Sequence, residues 1–421
     1  MHPDHPLALL GGLTPSQFMK TYWQRKPLLV RQAFKNFKPP VSMATLKKMC
    51  RREDVESRLV WQEKGEWNME VGPFSRLPKM SEQNWTLLVQ SVDIHDDDAC
   101  ALMNQFRFVP DARLDDLMIS MATQGGGVGP HFDSYDVFLL QAQGRRVWKF
   151  GQQKDLSLVP GLPLKILQNF EPEQEFVLEP GDMLYLPPQA AHDGIALDDC
   201  MTISIGFRAP DEAALARGML EAAMDQILAR AGVASGPYGE PALPGPNLSK
   251  FYRDSGQTAV ANPAEIPERL TEAAIAAASK IRFDRALATR FLGCWLTEPN
   301  QHAVFECPPE LAEDTSVQLG DGSEVSGHDW TDADDLDEDQ RAQSEPYTHW
   351  VLDRRTRMLY RDQQLFINGE TAPVKAEPGL RKLADARELA GTDPSARKLS
   401  AEALEMLAEW IDDGWIRLAQ K

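Results

Sequence analysis

The sequence predicts an α+β chain in three parts: an antiparallel double-stranded β-helix (a jelly roll), then a helical region, then a small winged-helix-like module. Three observations carry that reading. Between residues 111 and 210, short alternating apolar runs ("DDLMISMAT", "DVFLLQA", "RRVWKFG", "EFVLEPGDMLYLPP", "GIAL", "MTISIGFRAP") recur between Gly, Pro and Asp, the texture of an antiparallel barrel. From Asp211 the apolar period becomes helical in "DEAALARGMLEAAMDQILARA", and again past the Pro/Gly-rich "SGPYGEPALPGPN" in "IPERLTEAAIAAASKIRFDRALATRFLGCWL". Near the end, "RMLYRDQQLFINGE" and "LSAEALEMLAEWIDDGWIRLA" read as strand, turn, strand, helix and strand. At 421 residues the chain exceeds one compact core, so the expected divisions are 1–210, 211–300 and 301–421.

Ahead of the barrel, "TPSQFMKTYW" offers Thr14 as an N-cap, proline at the next position and aromatic residues at helical spacing, which predicts a helix. "KPLLVRQAF" reads as a short strand and "MATLKKMCRR" as a second helix. "WTLLVQSVDIHDDDACAL", residues 85–102, reads as helical around an acidic turn. Within the barrel, the turn "AQG" is expected to fold "RRVWKF" back against "DVFLLQ". The segment 329–343, "DWTDADDLDEDQRAQ", is an acidic insertion with two readings, a solvated charge run or a landing strip for a basic protein.

Lys plus Arg number 44 against 63 Asp plus Glu, a net charge of −19. That balance argues against nucleic-acid or anionic-membrane binding and suits a basic partner. Five widely separated cysteines form no CxxC pair, which fits a reducing compartment rather than a disulfide framework or a zinc site. Without a basic and apolar leader or a run of about eighteen apolar residues, the chain reads as cytoplasmic.

The chemistry concentrates in "GGGVGPHFDSYDVFLLQAQGRRVW". If "HFD" is strand, His131 and Asp133 share a face, with Phe132 on the other. An imidazole and a carboxylate make two ligands of three. The third is sought in "EPGDMLYLPPQAAHDGIAL", where a Gly181-Asp182 turn, an apolar strand and the rigid Pro187-Pro188 bend deliver His192. Two histidines and one carboxylate make the facial triad of non-haem Fe(II) oxygenases, with positions left open for a co-substrate and O2. Such enzymes commonly take 2-oxoglutarate, whose far carboxylate needs a cation inside the barrel. Alternation groups Arg146 with Trp148 and Phe150, against Arg145, Val147 and Lys149, so Arg146 is the candidate; the rival has Arg145 inward and Arg146 reaching solvent. Two further strands place Asp116, Met118 and Ser120 on one face, and Thr202, Ser204, Gly206 and Arg208 on another, as polar groups able to meet a co-substrate or a target side chain.

With these residues in place the chain resembles the JmjC-type ribosomal oxygenases, cupin-like jelly rolls, and within them the bacterial branch that hydroxylates an arginine of ribosomal protein L16. The resemblance runs through "WQRKPLLVRQAF", "DDLMIS", the glycine-rich segment above, "EPGDMLYLPP" with "AAH", and "SIGFRAP", about the first 210 residues. It implies His131, Asp133 and His192 as iron ligands and Arg146 as the partner of the 2-oxoglutarate carboxylate. Ser120 and Thr202 would sit beside the co-substrate, and Asp116, Met118, Tyr135 and Ser204 would line the pocket for the target side chain. The eukaryotic histidine hydroxylases carry lysine where Arg146 stands, so the arginine favours the bacterial branch, while Thr202 stands where bacterial relatives carry asparagine. The resemblance further implies a helical dimerisation region, hence a homodimer, and a winged helix that need not bind DNA. Two rivals stay open: the same chemistry on a histidine or another protein, and a metal-holding cupin-like binding module without oxidation chemistry.

Overall fold

A computed structural model describes residues 2–246, 248–306, 317–318, 324–325 and 349–419. The acidic segment 329–343 lies outside the described residues. The chain divides into two compact units, Met1–Ala209 and Pro210–Lys421.

The first unit opens with helix α1 (Pro15–Thr21), where Thr14 and Gln17 close a reciprocal capping box. Strand β1 (Leu28–Val30) and helix α2 (Met43–Met49), capped by Ser42, follow as the sequence predicts. A hairpin comes next, β2 (Ser57–Glu63) with β3 (Glu66–Val71), turning on Lys64 and Gly65, both at positive φ. The stretch expected to be helical from Trp85 begins instead as strand β4 (Trp85–Val89), continues through a 3-10 turn at Val92–Ile94, and becomes α-helical only at Asp97–Met103, α3. The reason is lateral pairing. Trp85, Leu87 and Val89 are buried in a strand hydrogen-bonded to β2 on one side and β5 (Leu114–Ala122) on the other.

The remaining strands are β6 (Val137–Gln143), β7 (Arg146–Gly151), β8 (Gln174–Leu178), β9 (Met183–Leu186), β10 (Ala191–Ala196) and β11 (Cys200–Phe207). They form an eight-stranded sheet in the order β1-β9-β6-β11-β5-β4-β2-β3 and a three-stranded sheet in the order β10-β7-β8, the two layers of a jelly roll. The expected β6–β7 hairpin does not form: β6 pairs with β9 and β11, whereas β7 pairs with β10 and β8. The chain changes sheets at Gly144, where a Cβ would meet the Asp199 carbonyl at 2.4 Å and positive φ is required. Asp198 then accepts from both the backbone N–H and the Nε of Arg145, fixing the crossing.

The two faces of the large sheet bury different sets of residues. Leu117, Ile119 and Met121 of β5 and Ile203, Ile205 and Phe207 of β11 pack outward with α1 and α2 residues such as Phe18 and Leu46. Inward, Val137, Leu139, Leu184 and Leu186 meet Trp148, Phe150 and Leu178 of the small sheet. Alternation therefore turns Ser120, Thr202 and Ser204 toward the space between the sheets.

The second unit holds helices α4 (Glu212–Arg230), α5 (Glu268–Ala278) and α6 (Arg285–Thr297). Phe291 and Leu287 of α6 pack with Ala222 and Ala223 of α4 and with Phe366. The C-terminal module has the predicted strands Met358–Arg361, Gln364–Ile367 and Ile416–Ala419, with the helix Ala401–Asp412. To these the structure adds a strand at His349–Leu352 and a helix at Pro378–Ala386, both packed on the same core around Leu380, Leu383 and Trp410.

Candidate functional site

The glycine-rich segment reaches the site without becoming a strand. His131 makes a single antiparallel bridge to His192, with N–H···O bonds exchanged both ways at 2.9 and 2.8 Å. The strand expected at "HFD" is thus reduced to one bridge residue, and Asp133 is held separately, its carbonyl accepting from the Gln189 N–H at 2.7 Å. The consequence for the side chains is the one expected of a strand: ligand atoms of His131, Asp133 and His192 all lie within 4.8 Å of one another. Among the described residues this is the one such cluster.

Both imidazoles are oriented by backbone. The Nδ1 of His131 donates to the Gly129 carbonyl at 2.8 Å, and that of His192 donates to the Ala190 carbonyl at 2.9 Å. A carbonyl can only accept, so each Nδ1 carries the proton and each Nε2 keeps its lone pair for a metal. The Nε2 of His192 points at the Asp133 carboxylate, 3.7 Å away. Burial, with His131 alongside, lowers the His192 pKa to about 4, so at neutral pH the ring is in its ligating form. Two neutral imidazoles and one carboxylate suit a divalent transition metal and leave half of an octahedral shell open.

On the small sheet the register sets His192 opposite Phe150, Gly194 opposite Trp148 and Ala196 opposite Arg146. The question of the two arginines is decided by exposure: the Arg145 side chain is 53% exposed and pairs with Asp198, whereas Arg146 is 4% exposed. Arg146 stacks on Trp148 with its guanidinium carbon 5.7 Å from the ring centre, and its Nη2 contacts the Cys200 sulfur. Its Nε and the Nε1 of Trp148 have no hydrogen-bond partner among the described residues. A buried guanidinium without a carboxylate is an arrangement that an anionic ligand would complete. Gly194 makes room for it, since a Cβ there would lie 2.6 Å from the Trp148 ring.

On the large sheet Ser120 stands opposite Thr202 and Met118 opposite Ser204. The Ser120 hydroxyl donates to the Thr202 carbonyl at 3.4 Å, and the Thr202 hydroxyl donates to Gln141 Oε1 at 3.0 Å. Thr202 therefore faces the cavity with its proton already engaged. Asp116 lies at the start of the same row with a pKa raised to about 6, by burial first and then by the neighbouring Asp115. Tyr135 is 39% exposed and its ring borders the same spot, 4.0 Å from where a Gly206 side chain would begin. Of the residues singled out from the sequence, the structure brings His131, Asp133 and His192 into one cluster, sets Ser120 opposite Thr202 and Met118 opposite Ser204, puts Asp116 and Tyr135 beside Gly206, and places Arg146 on the small sheet with His192. It adds Asp93, Gln90 and Gln141, which motif reading did not flag; the strand pairing of β4, had it been recognised, would have pointed to Gln90.

Residues 101–215 match the JmjC domain family and residues 280–417 the ROXA-like winged helix family. The chain is 40% identical over 228 residues to the ribosomal protein uL16 3-hydroxylase of Escherichia coli, and 36% identical over 213 residues to a probable ribosomal oxygenase of Haemophilus influenzae. These alignments cover 54% and 49% of this chain, and the chain spans 60% and 52% of those relatives. Over nearly its whole length (96% of this chain, 98% of the other) it superposes on the E. coli ribosomal oxygenase YcfD with a TM-score of 0.72 at 27% identity. In sequence and in fold the chain resembles the bacterial ribosomal oxygenases. A second YcfD structure, at TM-score 0.71 and 27% identity over 96% of this chain and 97% of that one, is a complex with cobalt and 2-oxoglutarate. The two-sheet jelly roll, with its JmjC domain match, and the C-terminal winged helix both agree with the sequence-based expectation.

Proposed function

We propose that the chain is an Fe(II)- and 2-oxoglutarate-dependent protein hydroxylase acting on an arginine of ribosomal protein L16. The observation that carries the reading is the pairing of a three-ligand cluster with a buried guanidinium that has no carboxylate partner among the described residues, four strand positions further along the same small sheet, about 13 Å of strand from His192. His131, Asp133 and His192 would hold the iron, and Arg146 would take the distal carboxylate of the co-substrate, with Ser120 and Thr202 beside it. When bound, iron, 2-oxoglutarate and O2 supply oxidation of an unactivated C–H bond with release of succinate and CO2.

The chain's own share is placement. The backbone-fixed imidazoles present Nε2 in the required direction, Trp148 and Phe150 keep the cavity floor dry, and Asp116 offers a carboxylate to an incoming cation, with Met118, Tyr135 and Ser204 around it. The net charge of −19 suits a basic ribosomal protein and disfavours nucleic acid as a direct partner. No described helix is long and apolar enough to cross a membrane. A homodimer through the helical region completes the proposal, supported by the exposed Leu270 and Ile275 of α5, and sedimentation of the purified chain tests it.

Incubation with Fe(II), 2-oxoglutarate and an L16 fragment, followed by tandem mass spectrometry, should show a one-oxygen mass increase on an arginine. Oxygen on a histidine would redirect the substrate assignment. Full metal occupancy without 2-oxoglutarate turnover would favour a binding module.

A further inference from the structure

The turn that follows β4 grips β5 at two consecutive residues. Asp93, buried in that turn, accepts from the Leu117 N–H at 2.8 Å. One residue earlier on β5, Asp116 Oδ2 accepts from Gln90 Nε2 at 2.6 Å, from the Ser91 N–H at 3.1 Å and from the Ser91 hydroxyl at 3.3 Å. All three bonds fall on one oxygen; Oδ1 accepts none from the described residues. The orientation of the Gln90 amide is itself fixed, because its Oε1 accepts from Arg58 Nη2 at 3.2 Å. Arginine can only donate and a carboxylate can only accept, so the amide nitrogen must face Asp116.

The space before Oδ1 is kept open by Gly206, where a Cβ would sit 3.3 Å from that oxygen. We infer that Gln90 is a positioning residue for the target cation: it locks Asp116 Oδ2 so that Oδ1 alone is presented to the guanidinium. This inference rests on the arginine-hydroxylase reading. A carboxylate offered end-on, rather than as a fork, holds a guanidinium through one N–H and leaves the side chain free to turn its carbons toward the triad.

Charge supports the geometry. Asp115 adds negative charge beside Asp116 while the buried Asp93, raised to about 8, stays protonated at neutral pH; Arg58 lies behind Gln90, Arg208 is bound to Asp115, and the phenol of Tyr135, which also faces Asp133, lies alongside. The bonds from Gln90 and Ser91 oppose burial and Asp115 in setting the Asp116 carboxyl at about 6. Without the Gln90 donor, Asp116 should take up its proton at higher pH, and the pocket should lose its charge nearer neutrality.

The test is Gln90→Met, which keeps length and removes the donor. The Asp116 carboxyl is followed by carbon NMR in the purified protein without substrate, and its titration should move to higher pH. With the L16 fragment, KM at pH 7 should rise about tenfold, the loss of one hydrogen bond to a charged group, with kcat nearly unchanged. In an Asp116→Asn background the same substitution should change KM little. An unmoved Asp116 titration, or an equal KM change in both backgrounds, overturns the inference. If the unaltered protein fails to hydroxylate the fragment, the proposed function fails, and the titration still decides the role of Gln90.

Discussion

Replacing Arg146 with methionine separates a ligand-binding arginine from a structural one. The side chain is buried, its Nε lacks a partner among the described residues, and its protein contacts are the Trp148 face and the Cys200 sulfur. Removing a buried charge with no salt-bridged carboxylate among the described residues should leave the ligand-free fold within about 1 kcal/mol of its original stability, since the cation–π contact (roughly 0.5–2 kcal/mol) is offset by relief of desolvation. Loss of a buried charge-assisted pair with a carboxylate weakens binding by about 2–5 kcal/mol, roughly 30-fold to 4,000-fold in affinity. Thermal unfolding titrated with 2-oxoglutarate in the presence of Co(II) reads both quantities, because a ligand at 100 times its Kd stabilises by about 2.7 kcal/mol. The unaltered protein should gain that stabilisation and the variant should not. Arg145→Met, at an exposed ion pair worth at most about 1 kcal/mol, is the control. A variant that binds 2-oxoglutarate within about threefold of the unaltered protein would refute the assignment.

Asp133→Ala should abolish hydroxylation and lower metal affinity by upwards of about 100-fold, measured by metal analysis after dialysis; retained turnover removes Asp133 from the ligand set. Gly194→Ala drives a methyl group into the Trp148 ring, so it should destabilise by about 1–3 kcal/mol in denaturant unfolding and weaken 2-oxoglutarate binding by displacing the ring. Asp93, raised to about 8 by burial and then by the Asp116 charge, folds as the neutral acid. Its contribution to stability is fully present below its unfolded pKa of about 4 and is lost as pH rises through about 8. Asp93→Asn keeps an oxygen for the Leu117 N–H and has no charge to gain, so its unfolding midpoint should fall less between pH 5 and pH 9 than that of the unaltered protein; parallel curves would contradict this.

The residues with the strongest chemical signatures were also the most legible. His131, Asp133 and His192 could be grouped because few histidines stand near a carboxylate at alternate spacing, and Arg146 could be turned inward because alternation puts it with Trp148 and Phe150. What sequence could not supply was which strand pairs with which. The short "AQG" link looked like a hairpin because turn residues report a reversal and not a change of sheet; the partners of β7 are β8 and β10, which begin only at Gln174 and Ala191. Trp85–Val89 looked helical because a continuous apolar run has no period to read, and its identity as a strand comes from two neighbours distant in sequence. The β2–β3 hairpin did carry a signal, "EKGEW" with glycine at the turn between alternating residues, and went unrecognised. Gln90 and Asp93 carry no motif at all; their relation to Asp116 exists only once β4 lies beside β5.

The two sheets divide the proposed chemistry between them. The small sheet and the segment bridged to it carry His131, His192, Trp148 and Arg146, the groups suited to the metal and the co-substrate; the large sheet and the turn after β4 carry Asp116, Met118 and Ser204, the groups suited to a protein side chain. Each set is anchored by hydrogen bonds within its own part: the imidazoles by carbonyls two residues before them, Asp116 by Gln90 and Ser91. Substitutions in the Asp116 clamp should therefore change KM for the protein substrate while leaving 2-oxoglutarate affinity within about threefold, and Arg146→Met should do the reverse, since sites without shared partners behave nearly additively. Thr202 is where the division is crossed. Its side chain lies on the large sheet, but its hydroxyl is bound to Gln141, whose amide in turn donates to the carbonyls of Gln143 and Gly144 at the point where the chain passes to the small sheet. Thr202→Val removes that link and should be the one substitution in the cavity that weakens 2-oxoglutarate and the protein substrate together; independent effects on the two would show that the sheets act as separate supports.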